Sequence, residues 1–159
     1  MLLWYCGPSI VAVHDIFRSR GLDYRLVALG AMLPLLVDLP LGRYAYGHSL
    51  FVAVGALAVV MLATIGRPRL VRRRWICMPI GWFCGLVLSG AFLHDVSFLW
   101  PFLGSDFPDD SLFPPPTLLV VVEALGLAVI VWAYGRFGLR DSRRRIDFLR
   151  AGRLEEARA

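Results

Sequence analysis

The chain has 159 residues, 58% of them apolar and only 18% charged, with a net charge of +5 and a mean hydropathy of +0.64. A soluble domain carries about a quarter charged residues, so this composition excludes an ordinary water-soluble fold and points to lipid as the solvent. All 17 cations are arginine, and they sit between apolar runs instead of spreading over one face, which excludes a nucleic-acid surface.

A membrane-spanning helix needs about 20 apolar residues, or about 17 when its ends are anchored, and five stretches qualify. The first is residues 1–17. No basic residue precedes it and no small-residue cleavage pattern follows, so it reads as a retained span. His14 and Asp15 close to its inner end are expected to snorkel to water. The second span, residues 26–41, is interrupted by Pro34, Asp38 and Pro40. The third is residues 49–65, with Ser49 placed to cap it by accepting a backbone N–H bond. The fourth, residues 75–93, follows an arginine block at Arg67, Arg69, Arg72, Arg73 and Arg74. An aromatic loop then carries Asp95, Asp106, Asp109 and Asp110 but no cation, and it suits the headgroup layer. The fifth span, residues 117–137, is entered through Pro114, Pro115 and Pro116. The tail, residues 138–159, mixes Arg143, Arg144 and Arg145 with Ile146, Phe148, Leu149 and Leu154, so it suits a short amphipathic helix on the anionic inner leaflet.

The fold class expected is therefore an all-α integral membrane bundle of five transmembrane helices; the alternative is four spans with the second segment re-entrant. Arginine placement separates the two, because each added crossing flips every later loop. Five crossings with the N-terminus outside put every arginine except Arg43 on the cytoplasmic side. A re-entrant second segment sets Arg18, Arg20 and Arg25 opposite Arg67 and its neighbours. The location predicted is the bacterial inner membrane, with the C-terminal tail in the cytoplasm.

Ionisable groups inside a span cost about 2.5 to 3.5 kcal/mol each unless they pair or reach water, so they are the first candidates for function. Asp38, His48, His94, Asp95 and Glu123 all fall toward the outer ends of spans two to five. Imidazole nitrogen with carboxylate oxygen suits zinc or manganese, although the spacing contains no metal motif. Cys6, Cys77 and Cys84 likewise lack metal or disulfide spacing. Along the fourth span Cys77, Gly81, Gly85 and Ser89 recur every four residues, a stripe of small side chains that lets helix backbones approach closely. Its partner is expected within the chain, with a second copy or another membrane protein as the alternative.

Residues 30–42 (GAMLPLLVDLPLG), residues 47–49 (GHS), and the segment from Pro79 and Gly81 through Trp100 and Pro101 together resemble the YdjM-like inner-membrane proteins, described as metal-dependent hydrolases. That family pairs a Pro-Asp with a second Asp shortly after it, then a His-Ser, then a His-x-x-x-Asp on a later helix ahead of a Trp-Pro. The resemblance implies that Asp38 and His48 occupy two metal-ligand positions. Leu35 stands at the first Asp, and Gly85 and Ser89 stand at the later His and Asp, where no carboxylate or imidazole remains. The reading favoured is a degenerate metal site, no cofactor, and a structural or interaction role. The first alternative is a hydrolase acting on a lipid or envelope compound at the outer face, with zinc or manganese held by Asp38 and His48 and helped by His94, Asp95 or Glu123. The second is a small transporter subunit, suggested by Asp38 within a proline-interrupted span.

Overall fold

In the computed structural model, residues 1–19, 21–107, 109 and 111–154 are described. Arg20, Asp110 and Arg158, which enter the charge asymmetry above, lie outside them. The described residues form helices and no named strand. Seven are α-helices: α1 Leu2–Phe17, α2 Tyr24–Asp38, α3 Leu50–Ala63, α4 Arg69–Leu88, α5 Asp95–Phe98, α6 Pro116–Arg136 and α7 Ser142–Ala151.

Each boundary has a local cause. Asp23 caps α2 by accepting the Arg25 N–H, and Ser49 caps α3 by accepting the Phe51 N–H, as the sequence led us to expect. Pro116 opens α6, where a missing N–H costs nothing. The fourth apolar stretch departs most from its predicted limits. Helix α4 begins six residues earlier, at Arg69, because the arginine block is itself helix-favouring. It ends at Leu88, and Gly90 then turns the chain with φ +69°, a conformation that glycine adopts without strain. His94 and Asp95 therefore lie beyond the helix instead of further along it.

Two helical segments are long and apolar enough to cross a membrane, Tyr24–Leu41 and Pro116–Arg136, with mean hydropathies of 1.5 and 2.2. Leu2–Phe17 and Leu50–Ala63 are shorter apolar helices. Only 11% of the most apolar window of Pro116–Arg136 is buried, whereas the core helix of a soluble protein is mostly buried. Its outward face carries Val120, Val121, Val131 and Trp132, all more than half exposed. Contiguous apolar surface of that kind is rare on soluble monomers.

The long helices run in alternating directions. Val13 packs with Tyr24 and Val27 at one end, and Tyr5 with Ala31 and Leu35 at the other, so α1 and α2 are antiparallel. Ala53 meets Trp82 and Leu86 while Arg72 reaches Met61, so α3 and α4 are antiparallel as well. By contrast α2 and α4 lie parallel and in register: Asp23 meets Cys77, and Gly81 and Gly85 abut Val27, Ala31 and Pro34. Helices α1 and α6 are parallel too, with Gly7 against Gly126 and Ile130 and Asp15 against Arg136.

The closeness of α2 to α4 follows from missing side chains. A Cβ on Gly81 would fall on the Val27 carbonyl and lie 2.9 Å from the Ala31 nitrogen; one on Gly30 would strike the Met78 carbonyl and lie 3.1 Å from the Gly81 Cα. Three members of the predicted stripe, Cys77, Gly81 and Gly85, are buried against α2, while Ser89 is half-buried past the helix end. Helix α7 packs back onto the bundle: Gly152 O accepts the Tyr24 N–H, Arg25 donates to Leu149 O, and Leu154 is buried. Ile146 and Leu149 stay exposed.

Candidate functional site

At the end of the bundle where α2 finishes, a short helical turn at Leu39–Leu41 and Gly42 at φ +66° fold the chain back. The following backbone thereby closes around Asp38, which is fully buried with His48. Asp38 Oδ2 accepts the Ala45 N–H at 2.8 Å, Oδ1 accepts the Gly47 N–H at 2.7 Å, and Oδ2 pairs with His48 Nδ1 at 2.7 Å. Gly47 is required by this closure, since a Cβ there would meet the Pro34 carbonyl and lie 3.0 Å from Asp38 Oδ1.

Further hydrogen bonds fasten this loop to its surroundings. Trp82 Nε1 donates to Gly47 O at 2.9 Å, Ser49 Oγ to Trp100 O at 2.8 Å, and Ser97 Oγ to Tyr44 O at 3.0 Å. The Tyr44 ring touches both imidazoles, edge-on to His48 at 4.6 Å and stacked on His94 at 4.2 Å. With Nδ1–H donated to the carboxylate, a neutral His48 has Nε2 as an acceptor. That atom is buried and has no hydrogen-bond partner among the described residues.

Of the candidates read from sequence, Asp38 and His48 are joined directly, and His94 reaches them through Tyr44. Asp95 is exposed at the start of α5. Glu123 faces the start of α1, where it pairs with the Met1 amine and accepts the Leu3 N–H at 3.0 Å. A catalytic zinc takes three protein ligands. No three His, Cys, Asp or Glu side chains converge to hold a metal among the described residues. Asp38 has about four lone-pair sites, and three are engaged by Ala45, Gly47 and His48. The residues present thus offer one imidazole nitrogen and at most one carboxylate lone pair, a poor fit to a tightly held ion. Gly85, where the resemblance would place a ligand histidine, is closed off by the Ala31 carbonyl and Pro34.

At the opposite end, sequence reading missed a second polar node. Asp23 is buried and binds Arg25 through both carboxylate oxygens, at 3.0 and 2.9 Å, and Arg74 Nε at 3.0 Å. Its own N–H donates to Cys77 Sγ. Burial pushes the Asp23 carboxyl upward, but the hydrogen bonds and charge of Arg25, aided by Arg74, outweigh it and hold the pKa below the usual carboxylate value. The available signal was an Asp immediately before an apolar run, the pattern of a helix cap. Asp15, expected to reach water, is exposed and also accepts two hydrogen bonds from Arg136 at 2.7 and 3.0 Å, whereas His14, expected to do the same, is buried and packs edge-on against Phe137.

Among the described residues, arginines of α4 and α7 gather at the same end, whereas Arg43 pairs with Asp109 at the other. Arg72 and Arg73 lie on the first turns of α4, and Arg143, Arg144 and Arg145 on α7. Arg145 borders an apolar crevice of about 330 Å³ formed by α1, α6 and α7. In comparisons with known proteins, no family model, curated protein or solved structure matches the chain.

Proposed function

We propose that the protein crosses the bacterial inner membrane five times, with its N-terminus outside and its tail in the cytoplasm, and acts as a structural or interaction component built on a degenerate metal site. The threading is supported by alternating helix directions: two parallel pairs, α1 with α6 and α2 with α4, each require an intervening return. It is supported also by charge, since Arg18, Arg25, Arg72, Arg73, Arg74 and Arg136 meet at one end while Asp38, His48 and the aspartate-bearing loop occupy the other.

The observation that carries the functional reading is that three of the roughly four lone-pair sites of Asp38 are engaged within the protein. A ligand carboxylate turns at least one oxygen to the ion, whereas both oxygens of this one hold protein groups, the Ala45 and Gly47 amides and the His48 ring. Together with the packing of Gly85 onto α2, this supports a site converted from chemistry to architecture. The likeness to the YdjM-like family belongs to the same proposal, as an ancestry that would explain why Asp38 and His48 persist where other ligand positions do not.

A second reading, a hydrolase at the outer face, is favoured by one feature: His48 is oriented by a carboxylate at Nδ1 and keeps an unpartnered Nε2, the arrangement that second-shell carboxylates impose on ligand histidines. Metal analysis of the detergent-purified protein beside a His48→Ala variant separates the two. The structural reading expects no stoichiometric zinc or manganese in either. One equivalent of metal in the parent, lost in His48→Ala, would overturn it in favour of the enzyme.

A further inference from the structure

The amino ends of α2 and α4 and the end of α7 enclose a second crevice, of about 270 Å³, lined by Gly21, Asp23, Leu70, Arg74, Arg150 and Arg153. Three arginines from two segments distant in sequence, Arg74, Arg150 and Arg153, line it together with one carboxylate. That carboxylate is already gripped by the fork of Arg25 and by Arg74 Nε, so the crevice is cationic. Helix α4 adds to the field. It starts after Pro68 with no side-chain cap, leaving first-turn N–H groups and the positive end of its dipole beside Leu70.

We propose that this crevice binds a phosphoryl group, with Arg150 and Arg153 as the gripping pair and Arg74 bridging the ligand to Asp23. The guanidinium fork matches phosphate oxygens in pairs, and the amino end of a helix favours the same charge. Two sources share that chemistry: the headgroup of an anionic phospholipid and a soluble phosphate. Only the placing of the crevice at the inner headgroup layer rests on the threading proposed above. The anion site stands on its own geometry.

The test uses the full-length protein in detergent, with native mass spectrometry to count retained phosphatidylglycerol against diacylglycerol of the same chains, which lacks the phosphoryl group. Inorganic phosphate is then added as competitor. The double variant R150Q/R153Q is expected to retain phosphatidylglycerol about 25-fold more weakly, at about 5-fold per arginine. R67Q/R69Q, which removes the same charge outside the crevice, should hardly change retention, and R150K/R153K, which keeps the charge but not the forks, should fall between. Displacement by inorganic phosphate would assign the site to soluble phosphate; retention in its presence would assign it to lipid. Equal weakening in R150Q/R153Q and R67Q/R69Q, or equal retention of the two lipids with no effect of inorganic phosphate, would overturn the proposal. Those outcomes leave the number of crossings untouched, which side-specific labelling tests separately.

Discussion

Replacing Gly81 by alanine tests whether α2 and α4 are held together by backbone approach. The added Cβ would strike the Val27 carbonyl and come within 2.9 Å of the Ala31 nitrogen. Both obstacles are main chain, which cannot rotate aside as a side-chain end can. Overpacking costs about 1 to 3 kcal/mol, and a main-chain collision belongs at the upper end, near 3. Alanine recovers about 1 kcal/mol of helix propensity over glycine, so the net loss is about 2 kcal/mol. At about 2 to 4 °C per kcal/mol for a chain of this size, Gly81→Ala should lower the unfolding midpoint by about 4 to 8 °C. Gly55, in the middle of α3, has nothing within 4 Å of its would-be Cβ. There the propensity gain stands alone, and Gly55→Ala should raise the midpoint by about 1 to 4 °C. Thermal unfolding in detergent, followed by tryptophan fluorescence, reads both, since Trp82 lies beside the contact. Midpoint shifts of the same sign and size in the two variants would show that the glycines matter only as glycines, and the close approach would fall.

Asp38→Ala leaves the Ala45 and Gly47 amides and the His48 ring without their acceptor, and breaking such a buried pair costs about 3 to 5 kcal/mol; His48→Ala leaves Asp38 its two amide donors and should cost less, an order that denaturant titration of both variants checks. Asp23 has a folded-state pKa below its ordinary value of 3.8, so the stability it contributes is present above that pH and is lost as pH falls through the lower folded value. The protection factors of the α7 amides, corrected for the intrinsic pH dependence of exchange, should therefore fall below about pH 4 in the parent, and Asp23→Asn, already lacking the charge, should show lower protection at neutral pH with little further response to acid. For the threading, single cysteines at Arg72 and at Asp109, placed in a variant with Cys6, Cys77 and Cys84 replaced by alanine, should label from opposite faces of intact membranes. Labelling of both from one face would rule out five crossings.

How much was legible from sequence depended on whether the determinant was local. The apolar runs, the Ser49 cap and the four-residue spacing of Cys77, Gly81 and Gly85 are properties of neighbouring residues, and each reappears in the helices and their contacts. The start of α4 differs from that of the expected span for a physical reason: hydropathy marks where lipid should begin, at Trp75, whereas the helix is a hydrogen-bonding unit that runs back through Arg74, Arg73 and Arg72 to Arg69. Its end was misplaced because Gly90 looks like any other glycine until its φ is known.

The two polar nodes show where sequence reading runs out. Asp38 and His48 are ten residues apart and were paired by chemistry alone. What the pair does was set by Ala45 and Gly47, whose contribution is backbone amides that no residue pattern advertises. Tyr44 and Trp82 join that node through ring packing and one indole hydrogen bond, contacts fixed only once α4 lies against α2. Asp23 is the clearer case, because its partners Arg74 and Cys77 are some fifty residues away. Any apolar helix preceded by an acidic residue would have looked the same. The difference between a capping aspartate and an interhelical anchor is the in-register parallel packing of α2 and α4, which follows from the glycines that let the two backbones touch. A substitution that separates those helices should therefore weaken the Asp23 node and the Trp82 to Gly47 bond together, at opposite ends of the bundle.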